Sequence, residues 1–523
     1  NIDDFSGYLD IFDASKDEGT IYFRQGTNGP EYSTDDQSNW NAMGNNSINI
    51  INTNVVSGNV LTVLFQTDMT FNNAEQYFIC GSEYITFDGG NNTITIDNVT
   101  SYFGLIQNGN SSANGNSNIT VQNIDVSGSG TTWAYGWIGQ DYFGKYSSNV
   151  SIDNCSSSGP IARGGICANG VGAGAGATLT ITNCYSTGDI WSSAGGICGA
   201  VCGQSSGTVT ITNCYSEGNI SQDGGGICGY APGKLNGIIE ISNCYSKGEI
   251  LGGNAGGMIG KEAGVENGKI TITNSYSEGT IGQNAGGIAG ASSCDKGGTV
   301  TIYDCYSKGE ITGLDAGGIV GYSGGIRGTL TVSKCYSEGE ISGKYAGGIG
   351  GGSFAYYTRE TVIINCYSKG KISGEKSGGI GGFRIGGRDP NSSYPNLSIT
   401  NSYSLGEITG SNAGGIAGSS YIALDISNCY SLHASGNTTI ESGGMVGIQE
   451  LNEKTNFNNT YGANGTWSDA SADAVLLGYP TLQNNPGDTW AYNLSGAGFP
   501  YILFLMITVG GLNYKTIDSS ATL

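Results

Sequence analysis

A segment of about thirty residues that recurs along most of the chain restricts the fold more than any other feature. Thr208–Gly229 reads TVTITNCYSEGNISQDGGGICG, and variants of it begin at Thr178, Lys269, Thr329 and Asn396. The cysteine of the N-C-Y-S motif, or the residue in its place, falls at Cys155, Cys184, Cys214, Cys244, Ser275, Cys305, Cys335, Cys366, Ser402 and Cys429. The steps are 29, 30, 30, 31, 30, 30, 31, 36 and 27 residues. Degenerate copies place Val99, Ile124 and Thr460 in the same position, which extends the series to about 13 coils between residues 85 and 465. No stretch has an apolar period of 3.6 residues, and glycine with β-branched residues disfavours helix. A unit of two or three short alternating strands cannot close a core alone, so each copy must stack on the next.

The prediction is an all-β chain: a right-handed parallel β-helix solenoid of ~13 coils of ~30 residues, with a cap at each end. The hand follows the preference of parallel crossover connections. At ~4.8 Å per coil such a stack is a rod of roughly 58 Å. The solenoid is expected over residues 67–448, with clear repeats over 155–447. Residues 1–66 do not fit the repeat and are expected to form an N-terminal cap or small β module. They carry an acidic start and two strand-like runs, Ile48–Val56 and Val60–Phe65. Residues 449–523 hold the last coil and a C-terminal cap, in which Phe499–Val509 reads as a buried strand. That run is too short to span a membrane as a helix and contains Pro500. No basic leader opens the chain, and its start at Asn1 suggests a segment removed or left out of the numbering. The long step of 36 residues implies a protruding loop over 384–395.

Column alignment assigns side-chain direction. Three residues past the marker stand Glu217, Lys247, Glu278, Lys308, Glu338 and Lys369, one per successive coil. Alternating charge at coil spacing belongs on the outside, where it removes like-charge repulsion and helps fix register. By period two, the tyrosines after the marker also point outward: Tyr185, Tyr215, Tyr245, Tyr276, Tyr306, Tyr336, Tyr367, Tyr403 and Tyr430. Cys214 and Ser216 and their equivalents then point inward, and the cysteine column reads as a buried stack of small side chains. A second inward ladder runs from Ile197 through Ile227 and Met258 to Met445, and a third through positions such as Val209 and Ile211. Gly195 and Gly196 and their copies are expected at tight corners with positive φ.

Composition narrows the function. Gly is 92 of 523 residues, without the every-third-residue period of collagen. Charged residues are only 12%, and the net charge of -22 argues against a nucleic-acid partner, which needs basic patches. There are 14 cysteines but one histidine, His433, which reads as a surface turn residue. The cysteine spacing is not that of zinc modules, so neither a metal nor a cofactor is expected. Cys167, Cys198 and Cys228 form a second short stack that either pairs two thiols or packs reduced.

With NCYSEGNIS and GGGICG in view, residues 155–447 resemble GLUG-type repeats, whose consensus is similar to NCYSxGxI followed by GGLVG. The upstream segments YITFDGGNNTITI, YFGLIQNG and NITVQNIDVSG are similar to the leading coils of such proteins. Similar arrays occur in bacterial surface adhesins and in surface proteins of large DNA viruses. The resemblance implies a β-rich surface or adhesive role and transfers no catalytic residue. Some GLUG-bearing proteins add a protease domain, but no H-E-x-x-H occurs here.

The functional expectation is therefore a non-enzymatic structural or adhesive protein, outside the cell or on a particle surface. It is either a virion surface or fibre component or a bacterial cell-surface adhesin. The abundant cysteines favour the virion, which can assemble in a reducing cytosol. The partner is another copy, another surface or capsid protein, or a host glycan or receptor, met at the tyrosine column or at loops beside GGIC. No transmembrane anchor is seen. The alternative is a polysaccharide-processing enzyme. Glu310 and Glu340 lie outward on adjacent coils, at a separation that suits a retaining glycosidase. Their column otherwise reads Asp189, Asn219, Glu249, Thr280, Lys371 and Glu407, which is an ordinary solvated face. The Thr pairs that suggest an ice-binding plane are interrupted by Glu240, Tyr303 and Ile364.

Overall fold

The computed structural model describes residues 19–27, 29–33, 41–42, 61–386, 397–420, 424–434, 443–449, 456–458 and 461–462. The acidic start, the run 48–56, most of the loop 384–395, and the terminal cap with its apolar strand lie outside them. The chain is all-β, with parallel strands stacked as a β-solenoid of about 12 turns. Two compact units are distinguished. One takes the residues up to Thr271 with Ser275–Gly279 and Ala289–Val300; the other takes Ile272–Asn274, Thr280–Ile288 and the residues from Thr301 onward. No helix among the described residues is long and apolar enough to cross a membrane.

In the first unit a long-strand ladder passes through Ile119–Ser129, Val150–Asp153, Thr178–Thr182, Thr208–Thr212 and Ile238–Ser242, all parallel. Each step is in register, with Val209 opposite Leu179 and Ile239. Alternation explains the choice of face. Val209 and Ile211 are buried, while Thr208, Thr210 and Thr212 lie partly exposed. A second ladder stacks Tyr185–Ser186, Tyr215–Ser216, Tyr245–Ser246 and Tyr276–Ser277. Single bridges complete each coil, Ile190 to Ile220, Gly195 to Gly225 and Cys198 to Cys228.

The ladder reaches back before residue 67. Leu61–Phe65 pairs parallel with Ile85–Asp88, and Gly19–Phe23 pairs parallel with Leu61–Phe65. Gly19–Gly26 also forms an antiparallel hairpin with Gly29–Ser33. Aromatic rings fill the interior here: Phe78 packs against Phe23, Phe65, Phe71 and Phe87 with centroids 5.2–6.4 Å apart. These rings take the volume that the Cys and Ile ladders fill further on.

The second unit repeats the pattern. Thr329–Ser333, Glu360–Ile364, Leu397–Thr400, Asp425–Ser427 and Asn456–Asn458 form one parallel ladder. Tyr306–Ser307, Tyr336–Ser337, Tyr367–Ser368, Tyr403–Ser404 and Tyr430–Ser431 form the other. The inward ladder that includes Ile197, Ile227, Met258, Ile319, Ile380 and Met445 is fully buried, as alternation predicts.

The glycine expectation is corrected. Gly195 and Gly196 do not have positive φ; the left-handed corner is one residue before the marker, at Asn183, Asn213 and Asn243, with φ of 55, 56 and 55°. Asparagine tolerates that region better than other side chains. The glycines are required by close approach instead. A Cβ on Gly196 meets the Gly226 carbonyl oxygen at 2.1 Å and Ser216 Cβ at 2.5 Å. The buried serine column and the glycine column therefore fit together across the coil.

Candidate functional site

The cysteine column is inward, with Cys184, Cys214, Cys244, Cys335 and Cys366 fully buried. It does more than fill space. The turn at each asparagine leaves the marker's backbone N–H needing an acceptor, and the side chain of the next coil supplies it. Cys184 N–H donates to Cys214 Sγ at 3.4 Å, Cys214 N–H to Cys244 Sγ at 3.4 Å, and Cys244 N–H to Ser275 Oγ at 3.1 Å. The thiol in turn donates to a carbonyl two residues back, Cys244 Sγ to Ser242 O at 3.2 Å. Cys and Ser exchange in this column because both accept and donate at that spot. All 14 cysteines are buried free thiols, including the Cys167, Cys198 and Cys228 stack. Burial pushes the Cys80, Cys167 and Cys429 thiols up, Cys429 to about 12, which suppresses the nucleophilic thiolate there, whereas hydrogen bonds with Cys198 and Cys228 pull Cys202 down to about 5. Among the described residues no group of three His, Cys, Asp or Glu is arranged to hold a metal ion.

Outside the same strand, tyrosine rings lie face on face. In the first unit Tyr185, Tyr215, Tyr245 and Tyr276 stack with centroids 4.8, 4.7 and 5.1 Å apart and planes within 10°. In the second, Tyr306, Tyr336, Tyr367 and Tyr403 stack at 4.9, 4.7 and 5.0 Å. The coil rise sets this spacing. One part of the expectation fails. Tyr185 through Tyr336 are half-buried, but Tyr367, Tyr403 and Tyr430 are only 3%, 1% and 1% exposed. Stacking is the same at Tyr215 and Tyr367, so stacking alone does not account for the difference. The column is thus not one continuous exposed stripe. Burial, with neighbouring rings adding to it, raises the Tyr336 and Tyr367 phenols well above their ordinary value.

The charged row flanks the rings. Lys247 Nζ lies 3.0 Å from Glu217 Oε1, and Lys369 Nζ lies 2.8 Å from Glu338 Oε1. Each ammonium also sits over a tyrosine, Lys247 at 5.2 Å from the Tyr245 centroid, Lys308 at 5.5 Å from Tyr306 and Lys369 at 5.6 Å from Tyr367. Glu310 and Glu340 are exposed on coils joined by the Ile311–Ile341 bridge. Ser373 Oγ donates to Glu340 Oε1 at 2.6 Å, and Lys371 lies 3.5 Å from Glu407 in the same column. His433 is exposed in a turn.

A different feature escaped the sequence reading. In the early coils of the first unit a cleft of 240 Å³ is lined by Phe103, Tyr135, Tyr142, Gln107, Gln140 and Asp141, among others. Tyr102, Ala134, Ile161 and Ile190 are bridged in succession and buried, so the residues that follow them face out. That places Phe103, Tyr135 and Trp191 along one outer line, with Phe103 49% and Trp191 42% exposed. The Phe103 and Tyr135 rings are 5.3 Å apart, Trp133 is 5.3 Å from Tyr135, and Trp133 is 5.5 Å from Trp191. Arg163 fills the coil between, its guanidinium 3.9 Å over the Tyr135 ring and paired with Asp141. Asp141 also accepts the Asn169 N–H at 2.9 Å, and Gln140 Nε2 donates to Gly104 O at 2.9 Å. The polar floor is therefore held in place by the backbone. Alternation around Tyr102, Ala134 and Ile190 carries the signal for this line, but the coils of Phe103 and Tyr135 depart from the consensus and no aromatic column continues past Trp191.

Compared with known proteins, the chain matches no family model, no curated protein and no solved structure.

Proposed function

We propose that this chain is a non-enzymatic structural or adhesive surface protein that presents a stiff β-solenoid on a particle or cell. One observation carries the reading: outward side chains on the repeats are matched to their counterparts one coil away. Tyrosine lies on tyrosine at 4.7–5.1 Å, and lysine on glutamate at 2.8–3.0 Å. Such ladders add register and stiffness to every step, which serves presentation rather than turnover. The resemblance to GLUG-type arrays points the same way. Its partner is another copy, another surface or capsid protein, or a glycan or receptor.

Gold-labelled antibody imaging on the native particle or cell tests this. Label on the outer surface is expected; protein found only as soluble monomers in the cytosol contradicts it. The polysaccharide-processing alternative is tested separately with Glu310→Gln and Glu340→Gln on a panel of polysaccharides. The wild type is expected to leave every polysaccharide intact. Cleavage that disappears in the variants contradicts the non-enzymatic reading.

A further inference from the structure

We propose that the aromatic cleft around Tyr135 is a binding site for a neutral glycan. Sugar rings present flat C–H faces and a rim of hydroxyls. They are held where exposed aromatic faces lie beside a few fixed hydrogen-bonding groups. Both parts are present. Phe103, Tyr135, Trp133 and Trp191 give a contiguous line of rings, each 5.3–5.5 Å from the next. Rigid aromatic surface of this kind gives large contact area at low entropic cost. The cleft beside it brings Gln107, whose amide makes no hydrogen bond among the described residues, and the phenol of Tyr142. At 240 Å³ it is smaller than the roughly 300–1,000 Å³ of pockets for drug-sized ligands, so it takes one ring while the outer line takes its neighbours. Phe103 and Tyr135 lie on adjacent coils, and Trp133 carries the line from Tyr135 to Trp191 two coils on.

Charge selects the class. Two cations lie near the cleft, and both are engaged: Arg163 is paired with Asp141 and stacked on Tyr135, and Lys145, beside Tyr142, donates to the carbonyl oxygens of Asn110 and Ser111 at 3.3 and 2.9 Å. The whole chain carries -22, which repels polyanions. Nucleic acids and sulfated glycans are thereby disfavoured. A proline-rich peptide also uses aromatic ridges. The carboxylate and amide of Asp141 and Gln140, held by backbone groups, and the unengaged amide of Gln107 favour a ligand with hydroxyls on both edges.

This deepens the attachment reading of the protein, but its test is separate, because a protein can label a particle surface and bind no glycan. The full chain is titrated with cellohexaose, chitohexaose, mannohexaose and xylohexaose, with dextran sulfate and a polyproline peptide alongside, following tryptophan fluorescence and heat. Saturable binding of at least one neutral oligosaccharide is expected. Tyr135→Ala and Trp133→Ala should weaken it by about tenfold or more, as for aromatic anchors at other interfaces. Gln107→Ala, which breaks no internal bond, should weaken it severalfold with the melting temperature unchanged. Leu251→Ala, at an exposed apolar side chain outside the cleft, should leave it unaltered. No binding of any neutral oligosaccharide, binding only of dextran sulfate or polyproline, or binding indifferent to both Tyr135→Ala and Gln107→Ala overturns the proposal.

Discussion

At the scale of single residues, the corner of each coil depends on two different backbone demands. Asn213 sits at φ 56°, and its side-chain amide donates to Asn183 Oδ1 at 3.3 Å. Asn213→Ala should cost about 1–2 kcal/mol, and Asn213→Gly much less, because glycine keeps the left-handed backbone and loses only the weak ladder bond. Chemical denaturation of both variants checks the difference. Gly196→Ala should be far worse, about 3 kcal/mol or more, since its Cβ strikes neighbouring backbone rather than a side chain that can move. Asp315 offers a pH test. Burial beside Gly352 pushes its carboxyl up to about 6. The folded state thus holds that proton more tightly than the unfolded chain. Its contribution to stability is complete below about pH 4 and is lost as pH rises through about 6. Asp315→Asn should therefore raise stability at pH 7 by about 1 kcal/mol, allowing for solvent at a half-exposed group. The gain should vanish below about pH 4; a gain independent of pH would contradict the assignment. The role of glycine was misjudged from sequence because positive φ and close approach both select Gly, and only coordinates separate them.

At the scale of the strand and its ladder, alternation carried the reading well. It assigned Val209, Ile211 and Ile227 inward and Glu217 and Lys247 outward, all as found. The cysteine marker was legible as a core position. Its exchange with serine became intelligible only when the neighbouring coil's N–H was seen to need an acceptor. The exposure of Tyr367, Tyr403 and Tyr430 was not legible, since a column's direction says nothing of what later covers it. The aromatic line through Phe103, Tyr135 and Trp191 was hidden because Phe103 and Tyr135 lie in coils that lack the consensus, and in the consensus copies the place of Trp191 is taken by non-aromatic residues such as Ser221 and Thr312. Lys247→Glu places a third carboxylate between Glu217 and Glu278. The melting temperature should fall by a few degrees at low salt and recover as salt screens the row, whereas Lys247→Met should show little salt dependence. Thermal melts in a salt series measure this.

At the scale of the whole molecule, the cysteines lie in a buried, reduced interior, and within each unit the repeats meet one another in a single register. The first half has a simple readout. Without reductant, native protein at pH 8 should take up no alkylating label, and denatured protein should take up 14. Fewer labels after unfolding would reveal a disulfide, and labels on native protein would reveal an open core. The register is the central claim, because every inward and outward assignment depends on it and a slip by one residue exchanges the two faces. Thr210 and Glu240 are opposite one another on adjacent parallel strands and face outward. Residues so paired lie at about the strand spacing of 4.7–4.9 Å, within the Cα range of a disulfide. Thr210→Cys with Glu240→Cys should therefore cross-link under mild oxidation, with the bond mapped by mass spectrometry, while Thr210→Cys with Ile238→Cys should remain reduced. A cross-link in the second pair and none in the first would contradict the register and the fold reading built on it.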